Sequence, residues 1–189
     1  QFPKEIIQIL VNKGHKIFGE NKVQEAQAKW VDLKKDNPEK NIELHLIGPL
    51  QSNKANLALD IFDVIQTVDR EKIALKLSKY LKEKNYIKKK NFFIQINIGN
   101  EKQKSGIEER LAEQFFQWCS NDLSLNIIGL MCIPPLDQSP EPFFMKLRNL
   151  CDQFNLKHAS MGMTNDFKSA IDHGATFIRV GTGIFGKRD

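Results

Sequence analysis

Ser160-Met161-Gly162-Met163-Thr164-Asn165-Asp166 and Arg179-Val180-Gly181-Thr182-Gly183-Ile184-Phe185-Gly186 stand near the end of the chain, and each reads as a β-strand end opening onto a helix start. A helix start leaves backbone N–H groups without intrahelical partners, and the peptide dipoles add partial positive charge there, so such turns hold anions without a lysine. Ser160, Thr164 and Thr182 add hydroxyl donors, the glycines let backbone approach a ligand closely, and Arg179 is a fixed cation beside them. One Gly-Thr-Gly after a strand serves equally well as a tight turn with a capped helix. Two such turns are better evidence for an anion site, and they lie side by side if their strands, 156 to 160 and 176 to 180, are parallel neighbours.

Working outward, short β-branched and aromatic runs alternate with longer amphipathic stretches, which is the pattern of βα units and a parallel sheet. Strands are expected near 15 to 18, 43 to 47, 62 to 66, 91 to 98, 125 to 131, 156 to 160 and 176 to 180. Helices are expected near 3 to 13, 21 to 35, 52 to 59, 70 to 84, 108 to 120, 140 to 154 and 165 to 173, with a last one beginning near 183. Ile73, Leu77, Tyr80 and Leu81 share one helix face and are core positions. Gly14 sits where a left-handed residue would end the first helix.

The first helix begins at Pro3, a good first-turn residue, with no strand ahead of it. Eight strands close a (β/α) barrel, whose phosphate sites lie after strands seven and eight. The expected fold is therefore α/β: a (β/α)8 TIM-type barrel forming a single domain over 1–189, with its first strand missing from the sequence and belonging between the strands at 15 to 18 and 176 to 180. Restoring it makes the two anion-binding turns follow strands seven and eight.

Composition narrows the function classes. Of 189 residues, 41 % are hydrophobic and 27 % charged, ordinary for a soluble globular domain. Apolar runs such as Phe92-Phe93-Ile94 are far too short to span a bilayer, so no membrane role and a cytoplasmic location are expected. Cys119, Cys132 and Cys151, with His15, His45, His158 and His173, lack the spacing of a disulfide framework or metal site. The net charge of +5 concentrates in Lys82 to Lys90, which reads as a solvated helix end and not as a nucleic-acid surface.

Phe18-Gly19-Glu20-Asn21 with Val23-Gln24-Glu25, the run His45-Leu46-Ile47-Gly48-Pro49-Leu50-Gln51-Ser52-Asn53-Lys54, Lys104-Ser105-Gly106, Gly129-Leu130-Met131 and the two turns quoted above together resemble the pyridoxal phosphate homeostasis protein family. The match runs through nearly the whole chain. It implies a barrel similar to the N-terminal domain of alanine racemase, carrying pyridoxal 5′-phosphate as an aldimine on a lysine at the end of the first strand. That lysine would precede Gln1; Lys4 and Lys13 lie within or at the end of the first helix and do not fill the role. The resemblance further implies that Ser160, Gly181 and Thr182 hold the phosphate, Arg179 stands near the pyridine nitrogen, Asn21 lies near the ring and Met161 lines the cofactor's face. Ordinary core packing is the alternative for Met161. Thr164 stands where the family more usually has serine, and Ser105, Met131 and Gln51-Ser52-Asn53 receive no cofactor contact.

Two classes of function follow. One is a non-catalytic protein, expected to be monomeric, that keeps pyridoxal phosphate and amino and keto acid pools in balance, with pyridoxal phosphate-dependent apoenzymes as partners. The other is a pyridoxal phosphate-dependent amino-acid racemase. Racemisation needs acid/base groups on both faces of the ring, and Tyr80 and Tyr86, the only tyrosines, lie far from any strand end. A guanidinium at the ring nitrogen also cannot give up a proton, which leaves the cofactor a weak electron sink. Binding without turnover is the preferred expectation. A phosphate-sugar barrel enzyme would want carboxylates at several strand ends, where only Glu20 and Asp166 offer themselves.

Overall fold

The computed structural model describes residues 4–84 and 90–186, and over them helices and strands alternate. The order is α1 (Lys4–Asn12), β1 (Ile17–Glu20), α2 (Val23–Asp36), β2 (Glu43–Leu46), α3 (Ala55–Ile61), β3 (Val64–Val68), α4 (Glu71–Lys84), β4 (Asn91–Asn97), β5 (Ile107–Glu108), α5 (Ala112–Gln117), β6 (Ile127–Cys132), α6 (Glu141–Gln153), β7 (His158–Met163), α7 (Phe167–Asp172), β8 (Phe177–Arg179) and α8 (Thr182–Phe185). Pro3, residues 85–89 of the basic run and Tyr86 within it lie outside the described residues.

Several strands begin about two residues later than the sequence pattern suggests, because the first apolar residues of each run close the preceding helix. Gly14, Ser124, Asn155 and Gly174 take the left-handed conformation, with φ of 87°, 55°, 53° and 84°. The next residue then reaches back with its N–H: His15 to the Leu10 carbonyl (3.0 Å), Leu125 to Cys119 (2.9 Å), Leu156 to Cys151 (2.7 Å) and Ala175 to Ala170 (2.9 Å). These bonds satisfy carbonyls that a helix end leaves orphaned, and at Leu125 and Leu156 the apolar residue after the left-handed one packs under the helix. Leu125 and Leu156 are buried, so they look like strand residues in the sequence while serving as helix caps.

All strand pairings are parallel. The sheet order is β1-β2-β3-β4-β6-β7-β8, with the two-residue β5 off this path and paired with β4. The expected helix over 108 to 120 is correspondingly broken into β5, a 3-10 turn Glu109–Leu111, α5 and a π turn Trp118–Asp122. The result is a near-closed parallel α/β barrel. Its end strands are β1 and β8, and among the described residues no pairing joins them. Ile17 and Ile178, one on each of these strands, are 44 % and 38 % exposed, unlike the buried isoleucines of the central strands. Among the described residues no helix is long and apolar enough to cross a membrane.

Alternation along the strands divides the core in two. Leu44, Leu46, Ile65, Phe92, Ile94, Ile96 and Leu130 point outward and pack with Trp30, Leu33, Leu59, Ile73, Leu77, Phe144 and Leu147. Val64, Phe93 and Met131 point into the barrel and pack with Phe177. Tyr80 and Leu81 pack against the outer core from its margin, as their helical spacing predicts.

Candidate functional site

Polar side chains occupy the inward positions beside the Val64, Phe93 and Met131 cluster. His45, Gln66 and Ser160 are 2 %, 2 % and 0 % exposed, and they form one hydrogen-bonded line across the barrel. Arg179 Nη1 donates to Ser160 Oγ (2.8 Å), Ser160 Oγ donates to Gln66 Oε1 (2.6 Å), Gln66 Nε2 meets His45 Nδ1 (2.8 Å), and His45 Nε2 meets Glu43 Oε1 (2.6 Å). Arg179 also donates from Nη2 to the Cys132 carbonyl (2.8 Å), so its side chain reaches from β8 past β7 to the end of β6.

Arg179 is the chemically telling member. Burial pulls its pKa below the ordinary arginine value, with Cys132 and Asp166 acting in the opposite direction, yet a guanidinium stays protonated. Burial pushes the neighbouring Cys132 thiol up to about 12, so that group is neutral. The two hydrogen bonds of Arg179 go to a hydroxyl and a backbone carbonyl, both neutral acceptors, and of the five N–H donors of a guanidinium they use two. A half-buried cation with donors to spare at a barrel's strand ends suits a ligand carrying acceptor atoms or negative charge.

A second group of donors lies at the adjoining rim. Thr182 Oγ1 donates to Thr164 Oγ1 (3.1 Å), and the Gly183 N–H donates to the same oxygen (3.3 Å). This ties the turn after β7 to the turn after β8. The two turns that the sequence sets apart by 18 residues are thus neighbours. A Cβ added at Gly181 would meet no atom within 4 Å, so open space adjoins the backbone here. Helix dipoles contribute less than the sequence suggests, since α7 has six residues and α8 four. Asp166 does not cap α7 with its side chain; its Oδ1 accepts from the Met163 N–H at 2.6 Å.

Of the residues expected at a site, Ser160 and Arg179 are in direct contact and Gly181 and Thr182 lie on the adjoining turn. Ser160 differs in detail: its single proton is given to Gln66, so in this arrangement it has none to give a phosphate. Met161 faces the other way. It is fully buried in the outer core together with Ala159, because strand alternation sends it to the face opposite Ser160; core packing is what the structure gives it. Asn21 is exposed in the turn after β1, on the far side of the gap between β1 and β8.

The position of Asn21 depends on Gly48. A Cβ on Gly48 would lie 2.2 Å from the Asn21 carbonyl oxygen and 2.7 Å from its Cα, contacts that only backbone movement relieves. Gly48→Ala is therefore expected to destabilise the fold by about 1–3 kcal/mol and to shift the Asn21 turn. Urea unfolding midpoints check the first, and the Asn21 amide resonance in an NMR spectrum the second.

Sequence reasoning missed Glu43, His45 and Gln66. The signal was there in outline: His45 in Glu-Leu-His-Leu and Gln66 in Val-Ile-Gln-Thr-Val are lone polar residues in apolar strands, and a buried polar group must find a partner. What the sequence lacks is which strand supplies it. Cys119, Cys132 and Cys151 are free and buried, and they serve packing.

Comparison with known proteins places this geometry. A model of the alanine racemase N-terminal domain matches residues 4–189. The pyridoxal phosphate homeostasis protein of Aquifex aeolicus is 36 % identical over 195 residues, covering 98 % of this chain and 83 % of the relative; that of Pasteurella multocida is 42 % identical over 199 residues, covering 99 % and 83 %. The chain belongs to the pyridoxal phosphate homeostasis protein family. Among solved structures, PipY of Synechococcus elongatus without pyridoxal phosphate superposes with a TM-score of 0.88 at 34 % identity, over 98 % of this chain and 89 % of PipY. PipY with pyridoxal phosphate bound gives 0.85 at 33 % identity over the same shares. Members of this family are named for homeostasis of the cofactor and not for a reaction.

Proposed function

We propose that this chain binds pyridoxal 5′-phosphate at the strand ends of β7 and β8 and takes part, without catalytic turnover, in balancing the free cofactor and amino and keto acid pools in the cytoplasm. The observation that carries this is the likeness to PipY with the cofactor bound, at 33 % identity across 98 % of the chain, together with a donor set that fits the cofactor's chemistry. The phosphate belongs at the Thr164 hydroxyl, whose own proton the two bonds it accepts leave unused, and at the backbone of Gly181 beside open space; Thr182 and Gly183 join by turning their donors from Thr164 to the phosphate when it binds. The pyridine edge belongs at Arg179, whose spare donors suit a ring nitrogen acceptor, and Asn21 belongs beside the ring. Ser160 is assigned to holding Arg179. The covalent anchor is a lysine, which we place on a strand filling the gap between β1 and β8. The protein acts as a monomer, and its partners are the cofactor and apoenzymes that receive it.

Thr182→Val removes one hydroxyl from the phosphate end while keeping the side chain's shape. Cofactor retention is expected to weaken by about 1.5–3 kcal/mol, the worth of a hydrogen bond to a charged group. A fluorescence titration of the full-length protein with pyridoxal phosphate measures this, and an unchanged dissociation constant would remove Thr182 from the site.

When bound, pyridoxal phosphate supplies an electron sink for chemistry at an amino acid's α-carbon. Arg179 has no proton to release and so leaves the ring nitrogen unprotonated, which keeps that sink weak. The lumen-facing residues around it, Gln66, His45 and Ser160, are already committed to one another. The full-length protein loaded with the cofactor is accordingly expected to show no racemisation of alanine in deuterium oxide, with α-deuterium incorporation at the rate of the free cofactor. Exchange at ordinary enzymatic rates, with racemised product, would favour a racemase.

A further inference from the structure

We infer that Gln66 is a positioning residue for Arg179: by accepting the Ser160 proton it turns the Ser160 oxygen into a fixed acceptor that holds the guanidinium at the barrel mouth. The inference rests on the assignment of that mouth as the pyridoxal phosphate site.

The direction of every hydrogen bond in the line follows from which groups can donate. Arg179 only donates, so Ser160 Oγ accepts from it. The one proton of Ser160 must then point to another acceptor, and the atom at 2.6 Å is Gln66 Oε1. This orients the Gln66 amide, leaving its NH2 against His45 Nδ1 at 2.8 Å. His45 Nδ1 must therefore carry a lone pair, its proton sits on Nε2, and Nε2–H donates to Glu43 Oε1 at 2.6 Å. The donors all run one way, from a cation on β8 through β7 and β3 to a carboxylate on β2. Such chains polarise each member in the same sense, and in a buried setting they fix geometry more firmly than isolated pairs.

The opposite amide orientation breaks the line at Ser160. It would set the Gln66 NH2 against a serine that already accepts from Arg179, leaving the Ser160 proton without this acceptor. It would also reverse the bond to His45, whose Nδ1 would then donate to the Gln66 oxygen. Gln66 is buried at 2 % exposure, so water offers no substitute partner. The residue sits one hydrogen bond behind Ser160 and acts on the site through it.

The test uses the full-length protein, with pyridoxal phosphate as the probe and its dissociation constant and visible absorption band as readouts. Gln66→Leu is expected to weaken binding about tenfold and to shift the band, since Arg179 loses its fixed acceptor. Gln66→Glu keeps an acceptor for Ser160 but loses the donor to His45 Nδ1, and is expected to bind less tightly than wild type and more tightly than Gln66→Leu. In a Ser160→Ala background, Gln66→Leu should have no further effect on either readout, because the link is already cut. Wild-type affinity and spectrum in Gln66→Leu, or a full-sized effect of Gln66→Leu on top of Ser160→Ala, would overturn the inference. If Gln66→Leu fails to fold, the ¹⁵N spectrum of the wild-type histidines decides: His45 is expected with Nε2 protonated and Nδ1 bare, and the other tautomer overturns the chain. A wild-type protein that binds no pyridoxal phosphate would defeat the site assignment while leaving the tautomer measurement to judge Gln66's orientation.

Discussion

Phe93→Ala is expected to lower the free energy of unfolding by about 3–5 kcal/mol, the range for removing a large aromatic from a packed core. Phe93 has no exposed surface and fills the inside of the barrel. It meets Phe177 edge-on at 5.7 Å between ring centroids and lies 6.3 Å from the His158 ring. The space it occupies is made by Gly129, where an added Cβ would come within 2.6 Å of Phe93 Cε1. The neighbours Val64 and Met131 sit on different strands and cannot collapse together without distorting the sheet, so the cavity persists. Because the Phe93 cluster lies beside the His45–Gln66–Ser160 line, the variant should also loosen that line. Guanidinium unfolding monitored by tryptophan fluorescence gives the magnitude; a loss under about 1 kcal/mol would mean that the barrel interior is not packed as described.

Arg179→Leu is the second large effect. It removes donors at 2.8 Å to Ser160 Oγ and to the Cys132 carbonyl, leaving that carbonyl to find a new partner at the end of β6. Hydrogen bonds from a charged group are worth about 1.5–3 kcal/mol each, and relief of the cation's desolvation offsets part of the loss, so a net destabilisation of about 2–4 kcal/mol is expected. Cofactor binding should fall further than stability does, because the group assigned to the ring nitrogen is gone. Arg179→Lys keeps the charge but not the fork and should recover only part of each. Thermal unfolding with and without pyridoxal phosphate separates the two contributions. A variant as stable as wild type, with the same ligand-induced shift in Tm, would show that the guanidinium does neither job.

Much of this was legible from residues. Seven strands and their order in the chain follow from the alternation of β-branched runs with amphipathic stretches, and the neighbourhood of the turns at Ser160 and Thr182 follows once the sheet is parallel. What the pattern misplaces are boundaries at helix exits, where Leu125 and Leu156 are apolar because they cap helices. The two-residue β5 and the π turn at Trp118–Asp122 are too short to leave a period. Within the site, the motifs locate Arg179 and Ser160 but not their mutual hydrogen bond, and they miss Gln66, which touches Ser160 across 94 positions of sequence. Met161 shows the converse: its place beside functional residues in the motif says nothing of its face, and alternation sends it outward.

The most direct measurement is a crystal structure of the full-length protein grown with pyridoxal 5′-phosphate. The expected result is a phosphate within hydrogen-bond distance of Thr182 and the Gly181–Gly183 backbone, with the pyridine ring nitrogen facing Arg179 and Ser160 still bonded to Gln66. Cofactor density elsewhere, for instance in the surface groove lined by Lys102, Lys104 and Arg110, with the β7 and β8 turns left empty, would contradict the assignment.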